Sequence, residues 1–219
     1  MNKLPNLIIL GPQGCGKGTQ SQILVQKFEY QAMSSGDLIR ERIAQNDDFG
    51  KRLSEKINTG KLADDQDLIK LIEDKLSQLD LSKPLIFDGF PRNKEQKVFI
   101  DDLIYKLNLS NFKVLYINID EQESLKRIAT RKICPKCNAI YFPEKDGFKE
   151  GKCTKCNSQL IVRADDTDDA VKERLKIFKE KTLPIIELYK KERKLIEING
   201  MQSIEKVAKD IAEGIKNHG

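Results

Sequence analysis

The chain predicts an α/β fold: a five-stranded parallel sheet flanked by helices, carrying a small helical insert and a second insert stapled by cysteines. Three observations predict it. The apolar run Leu7-Ile8-Ile9-Leu10 feeds a glycine-rich turn, Gly11-Pro12-Gln13-Gly14-Cys15-Gly16, which opens into a helix headed by Lys17. Short apolar runs then alternate with helical stripes along the chain, the pattern of parallel strands joined by crossover helices. That rhythm breaks once, where four of the five cysteines fall in two Cys-x2-Cys pairs.

Residues 5–10 read as the first strand and 17–27 as a helix, with Ile23, Leu24 and Phe28 at helical spacing. A short second strand falls between Phe28 and Met33. Ser34-Ser35-Gly36-Asp37-Leu38-Ile39-Arg40 opens a helix, with Ser35 or Asp37 available to cap it. Another helix covers residues 50–58 and stops at Thr59-Gly60, where the glycine suits a helix C-terminus. Residues 34–63 therefore read as a helical insert. Asp64-Asp65 starts a helix whose stripe is Leu68, Ile72, Leu76 and Leu79. Pro84 to Asp88 is the third strand. A carboxylate at the C-terminal end of a parallel strand faces the ligand crevice of such sheets. Gly89-Phe90-Pro91-Arg92 precedes a helix over 94–107. Lys113–Asn118 is the fourth strand and Glu121–Arg131 a helix. Beyond the cysteine insert, Thr167 caps a long helix with the stripe Val171, Leu175, Phe178, Ile185 and Tyr189, which Pro184 is placed to bend. Lys194–Ile198 is the fifth strand, and 203–216 the closing helix.

At 219 residues, 39% hydrophobic and 33% charged, the chain suits one domain with elaborations. No apolar run approaches the ~20 residues of a membrane span, and the N-terminal run is too short for a signal peptide. A soluble cytoplasmic protein with no membrane partner is expected. The net charge of +5 is concentrated: residues 127–163 hold nine Lys or Arg against three acids, and the rest of the chain sums to −1. A cationic insert of this kind suits a polyphosphate or a nucleic acid. The single histidine, His218, lies next to the C-terminus, which argues against a histidine base or a phosphohistidine.

Cys134-x2-Cys137 and Cys153-x2-Cys156 are separated by fifteen residues, the spacing of a four-thiolate structural zinc site. Iron is the alternative metal; two disulfides or four unrelated thiols are the alternatives to a metal. Four thiolates close the tetrahedron, so a metal here is structural. An insert of about 30 residues buries little core, and a metal staple makes up the deficit. Cys15, in the glycine turn, reads as an incidental small residue.

The turn itself fits a phosphate-binding loop. Glycines let several amide N–H groups converge on one anion, the helix N-terminus adds partial positive charge, and Lys17 adds a full one. In one departure from the general pattern the residue after Lys17 is Gly18, with the hydroxyl at Thr19. The plain alternative is a strand-to-helix turn with a solvent lysine. Six arginines decide against it: Arg40, Arg92, Arg127, Arg131, Arg163 and Arg174 all sit at element ends, with Arg127 and Arg131 four apart on one helix face. Phosphoryl transfer needs charge clamps and in-line positioning more than covalent chemistry, and guanidinium suits equatorial phosphate oxygens.

With these residues in view, the whole chain resembles the adenylate kinase family. The carriers are Gly11 to Gln20, Ser34 to Arg40, Asp88-Gly89-Phe90-Pro91-Arg92 with Gln96, Arg127-x3-Arg131, and Arg163-x-Asp165-Asp166 followed by Arg174. The Lys-Gly-Thr form of the loop is the family's own. The resemblance implies a P-loop NTPase-like core over 1–33, 64–130 and 164–219, an acceptor-binding insert over 34–63, and a lid over 131–163 with zinc on Cys134, Cys137, Cys153 and Cys156. It implies Mg2+-dependent transfer between ATP and AMP, giving two ADP, by a monomer. Gly14, Cys15, Gly16, Lys17, Gly18 and Thr19 would hold the donor's phosphates, and Arg127 would lie on its base. Arg131, Arg163 and Arg174 would neutralise the transferring group. Arg40 and Arg92 would grip the acceptor phosphate, and Ser35, Leu62, Ala63, Gly89 and Gln96 would line the acceptor pocket. Asp88 would orient Mg2+ through water, and Asp165 and Asp166 would sit at the lid hinge. Gln96 favours adenine, because an amide satisfies a base edge with two bonds. Two departures from the family pattern stand out: Gln13 where proline is usual, expected to loosen the turn, and no Asn-Pro-Pro after Tyr141.

Within this class, the alternatives are a kinase for another nucleoside monophosphate or one that uses GTP. A nucleic-acid-binding zinc ribbon would interleave aromatics with its basic residues; the insert offers Tyr141, Phe142 and Phe148, and such a role leaves the other arginines unexplained. A regulatory GTPase needs Asn-Lys-x-Asp, and Asn93-Lys94-Glu95-Gln96 lacks the acid.

Overall fold

The computed structural model describes residues 4–109, 111–137, 139–142 and 151–217. Phe148, His218 and the stretch from 143 to 150 where Asn-Pro-Pro would fall lie outside the described residues. The elements are β1 (Asn6–Leu10), α1 (Lys17–Phe28), β2 (Gln31–Ser34), α2 (Ser35–Ala44), α3 (Asp48–Asn58), α4 (Asp65–Leu76), β3 (Leu85–Asp88), α5 (Lys94–Lys106), β4 (Phe112–Asn118), α6 (Glu121–Thr130), β5 (Lys132–Ile133), β6 (Ile140–Tyr141), α7 (Asp168–Ile177), a π-helical turn (Phe178–Thr182), α8 (Leu183–Lys191), β7 (Leu195–Asn199) and α9 (Ile204–Asn217).

Five strands form one parallel sheet in the order β2-β3-β1-β4-β7. Strand β1 is central and wholly buried, which is why it reads as an unbroken apolar run rather than an alternating one. Its side chains sort by the two-residue period of a strand. Ile8 and Leu10 join Phe87, Val114 and Tyr116 against α4, α5 and α8; Leu7 and Ile9 join Ile86, Leu115 and Ile117 against α1 and α9. Register brings the strand ends to one edge: Ser34 pairs with Asp88, Ile9 with Asp88, and Asn118 with Asn199. The chain leaves that edge into the loops that hold the site, as open parallel sheets require.

The cap of α2 differs from expectation. Ser34, still extended at the end of β2, accepts from the Asp37 N–H. Ser35 is the first helical residue, and its hydroxyl donates instead to the Gly89 carbonyl at 2.9 Å. The α4 stripe holds, with Leu68, Ile72 and Leu76 buried and Leu79 packed beside them. The bend expected at Pro184 lies just upstream, in the π turn at 178–182. A proline clashes with the carbonyl four residues before it, here that of Glu180, and the wider π turn relieves that clash. Helix α6 ends at Thr130, so Arg131 is extended and does not share a helix face with Arg127. Among the described residues, no helix is long and apolar enough to cross a membrane.

The cysteine insert has its own small sheet, β5 against β6, extended by a bridge from Ile133 to Ile161. Its core is Cys134, Ala139, Tyr141, Cys153 and Leu160, separate from the two layers of the main sheet.

Candidate active site

A cavity of about 610 Å³ opens at the C-terminal edge of the sheet. It gathers Gly14, Gly16, Lys17, Gly18 and Thr19 from the loop and α1, Arg40 and Leu62 from the helical insert, and Asp88, Gly89 and Arg92 from the end of β3. Arg131, Arg163 and Arg174 line it too, as do Cys137, Ile140 and Phe142 of the cysteine insert, so that insert faces the loop. Cys15, Ser35, Ala63, Gln96 and Arg127 lie outside this lining.

The loop's shape follows from its glycines. Gly14 (φ +78°) and Gly16 (φ +103°) occupy backbone conformations that side chains disfavour, and a Cβ on Gly11 would stand 2.5 Å from the Ile117 carbonyl oxygen. Lys17 curls back on this loop: its Nζ donates to the carbonyls of Gly11 (2.8 Å) and Pro12 (3.0 Å). An ammonium resting on two neutral carbonyls is free to exchange them for phosphate. Cys15 is buried, with its Sγ 3.6 Å from the same Nζ.

Asp88 is buried, and Ser21 donates to its Oδ2 at 3.4 Å. Burial pushes its carboxyl above the usual range, Lys17 pulls it back, Asp37 pushes it further up, and Arg92 opposes. Arg92 donates from Nε to the Gly89 carbonyl (2.6 Å) and from Nη2 to Ser35 Oγ (3.3 Å). Arg40 pairs with Asp37 at 2.6 Å.

Two ion pairs organise the far side. Arg131 grips Asp166 through Nε (3.0 Å) and Nη2 (2.6 Å to each oxygen), with that carboxylate 1% exposed. Arg174 donates to Asp165 at 2.6 Å. Arg163 has a buried Nε with no partner. Its basicity falls to about 10, through burial first and then the nearby Arg40 and Arg131. Arg92 falls to about 10 likewise, through burial and then Arg174. The cavity thus holds more buried positive charge than its carboxylates balance, and a multivalent anion is what it lacks.

Gln96 is fully buried, and both ends of its amide are used: Oε1 accepts from the Arg92 N–H (2.7 Å) and Nε2 donates to Asp65 (2.7 Å). Arg127 lies beside the loop, donating to the carbonyls of Gly14 (3.4 Å) and Gly200 (2.9 Å) and to Glu123 (2.7 Å). Sequence reading missed Ser21, Asp65, Thr182 and Ser124. Ser21 lies one helical turn after Lys17, a spacing that puts both toward the β3 end. Thr182, whose hydroxyl holds the Arg92 carbonyl at 2.9 Å, carries no signal in the sequence.

The four insert cysteines converge, with all Sγ atoms within 4.8 Å of one another. The distances Cys134–Cys156 (3.3 Å) and Cys137–Cys153 (3.5 Å) exceed a disulfide bond and fall somewhat short of the ~3.8 Å edge of a zinc–thiolate tetrahedron. Burial opposes the Cys153 thiolate, but the Tyr141 hydroxyl and the N–H groups of Cys156 and Lys155 outweigh it, lowering the thiol to about 6. The donor set fits zinc.

A phosphate loop at the end of a central parallel strand, faced by guanidiniums from two inserts, defines the class: a P-loop phosphotransferase acting on small phosphate-bearing molecules. The family model for adenylate kinase matches residues 9–194. The chain is 38% identical over 208 residues to the adenylate kinase of Fervidobacterium nodosum, covering 93% of this chain and 94% of the relative. It is 37% identical over 210 residues to that of Archaeoglobus fulgidus (94% and 95%), and 39% over 208 residues to that of Aster yellows witches'-broom phytoplasma (94% and 96%). The chain belongs to the adenylate kinase family, phosphotransferases that interconvert ATP + AMP and two ADP using Mg2+ with the nucleotide.

Proposed function

We propose that the chain interconverts ATP + AMP and two ADP by direct in-line transfer, with residues of the cavity and of the shell around it in the following roles. Residues 1–33, 64–130 and 164–219 act as the core, 34–63 as the acceptor-binding part and 131–163 as the lid. The loop amides of Gly14 to Thr19 and the Lys17 ammonium hold the donor phosphates, with Arg127 against the donor base. Arg40 and Arg92 hold the acceptor phosphate, and Ser35, Leu62, Ala63, Gly89 and Gln96 shape its pocket. Arg131, Arg163 and Arg174 balance charge on the transferring group. An acceptor phosphate oxygen attacks the γ-phosphorus, the bond from that phosphorus to the β,γ-bridging oxygen breaks, and no covalent enzyme species forms.

One observation carries this reading. Arg92 and Arg163 are half-buried in the same cavity as Lys17, Arg163 with its Nε buried and unpartnered, and each is weakened by partial burial and by neighbouring guanidiniums. Such a cluster is stabilised by the charge of two nucleotides. Mg2+ bound with the nucleotide would supply neutralisation of the donor phosphates, and Asp88 is the carboxylate that would orient it. A structural Zn2+ on Cys134, Cys137, Cys153 and Cys156 would hold the lid together. The family resemblance supports a monomeric catalyst, and metal-ready free thiols suit a reducing cytoplasmic compartment.

A coupled assay with each monophosphate tests the reaction; faster turnover of CMP or UMP than of AMP overturns the acceptor assignment. A crystal structure with a two-headed dinucleotide tests the roles. Arg40 and Arg92 should meet one end of its phosphate chain and Lys17 the other; reversed or absent contacts overturn them.

A further inference from the structure

Gln13 stands where the family pattern carries proline, and its surroundings differ from those of a loosened turn. Its backbone carbonyl accepts from Ser124 Oγ at 2.5 Å, and Ser124 is fully buried, so α6 pins the main chain of the loop at this residue. Its side chain then crosses 153 positions of sequence to donate from Nε2 to Asp166 Oδ1 at 3.0 Å. An ionised carboxylate only accepts, so the N–H end of the amide must face Asp166. The other end, Oε1, is left buried with no partner.

The same Oδ1 accepts from Arg131 Nη2 at 2.6 Å and has Arg174 Nη1 at 3.8 Å. One oxygen therefore joins the phosphate loop to two arginines of the opposite wall. Displacing the loop at Gln13 displaces Asp166, and with it the guanidinium that Asp166 holds by two nitrogens. Proline has no donor and leaves this link unmade.

We propose that Gln13 is a positioning residue for phosphoryl transfer: its amide ties the phosphate loop to Asp166 and so sets where Arg131 stands relative to the loop. The inference rests on the role given to Arg131 above. A donor phosphate chain that seats in the loop then meets Arg131 already in register. The lever is geometric, since misplacing a charge clamp by about an ångström costs up to 10²-fold in rate.

The test uses Gln13→Leu, which keeps bulk and removes the donor, and Gln13→Glu, which sets a second carboxylate against Asp166. Each is made in the full chain and again on an Arg131→Lys background. Gln13→Leu is expected to lower kcat about fivefold and Gln13→Glu about fiftyfold. KM for AMP should stay within twofold, because the acceptor side does not touch Gln13, and the melting temperature of Gln13→Leu should be unchanged, while the like charge in Gln13→Glu lowers its own. On the Arg131→Lys background, Gln13→Leu should cost less than twofold more, because the clamp it positions has gone. Unchanged kcat in both Gln13 variants overturns the proposal. So does an equal fold-loss on both backgrounds, or a loss in Gln13→Leu matched by a raised KM for AMP and a lower melting temperature, which marks a merely structural role. Full turnover by Arg131→Lys alone defeats the role of Arg131 and the inference with it. Loss in Arg131→Lys with intact Gln13 variants defeats only the inference.

Discussion

Arg174 donates from Nη2 to the main-chain carbonyl of Ile57, 3.1 Å away. The same nitrogen donates to Asp165 at 2.6 Å. Ile57 is near the end of α3 in the helical insert, and Asp165 lies just beyond the cysteine insert. One guanidinium therefore senses the position of both. A lysine keeps the charge but is a point donor, unable to serve two acceptors and a phosphate in a fixed plane. Arg174→Lys is expected to lower kcat by about 10²-fold, the scale of losing one charge-stabilising contact. Steady-state kinetics with both nucleotides varied check this; a kcat within threefold of wild type contradicts it.

Asp88 is a carboxylate that function holds in a costly place. Burial raises its carboxyl above the ordinary range, and Lys17 only partly restores it. A raised carboxyl in the folded state stabilises below its unfolded pKa, and that contribution is lost as pH rises through the folded value. At neutral pH the ionised group is therefore a net cost. Asp88→Asn should melt at or above the wild-type temperature at pH 7, with the gain shrinking as pH falls into the carboxylate range. Turnover should fall by about 10²-fold or more, because the amide orients Mg2+ poorly. Thermal melts from pH 4 to 8 and a Mg2+ titration of activity measure both; a variant less stable at pH 7 than wild type contradicts the account.

The fold was legible in the sequence because each central strand is buried on both faces and must be apolar along its length, as in Leu7 to Leu10. Most of the arginines were legible because they sit at or near element ends, whereas Arg40 falls inside α2. The directions in which side chains reach were not. Ser34 rather than Ser35 caps α2 because the strand runs one residue further than its apolar pattern. Arg131 parts from Arg127 because α6 stops at Thr130, and its guanidinium is held by Asp166, 35 residues away. Contacts of that kind, like Thr182 on the Arg92 carbonyl, depend on tertiary packing and leave no local periodicity to read.

Gln96 holds the Arg92 loop. Its amide satisfies the buried Arg92 N–H and reaches Asp65. Gln96→Leu leaves the Arg92 N–H without its acceptor, while Asp65 keeps the Asn93 amide, and should cost about 1–3 kcal/mol of stability. KM for AMP should rise with little change in KM for ATP, if Arg92 holds the acceptor phosphate as proposed. Urea unfolding and paired KM values check it; a variant of wild-type stability would show that water takes over both bonds.

The cysteine insert stands on a core of five residues, two of them the thiols Cys134 and Cys153. Removing a metal from this set leaves four thiol groups with all sulfurs within 4.8 Å and little apolar burial to hold them. The main sheet, with two full apolar layers, does not share that dependence. Chelation under reducing conditions should therefore loosen residues 131–163 first. Limited proteolysis should cut there while the sheet remains protected, and hydrogen exchange should speed at Ile133 and Ile161 before it changes at Ile8 or Val114. Turnover should fall with the cutting, because Phe142 and Ile140 line the same cavity as Lys17. Cys153→Ser should reproduce the chelated pattern, and metal added back should restore only the wild-type chain. Simultaneous loss of protection in sheet and insert would mean that the thiolate site supports the whole molecule rather than the cysteine insert alone.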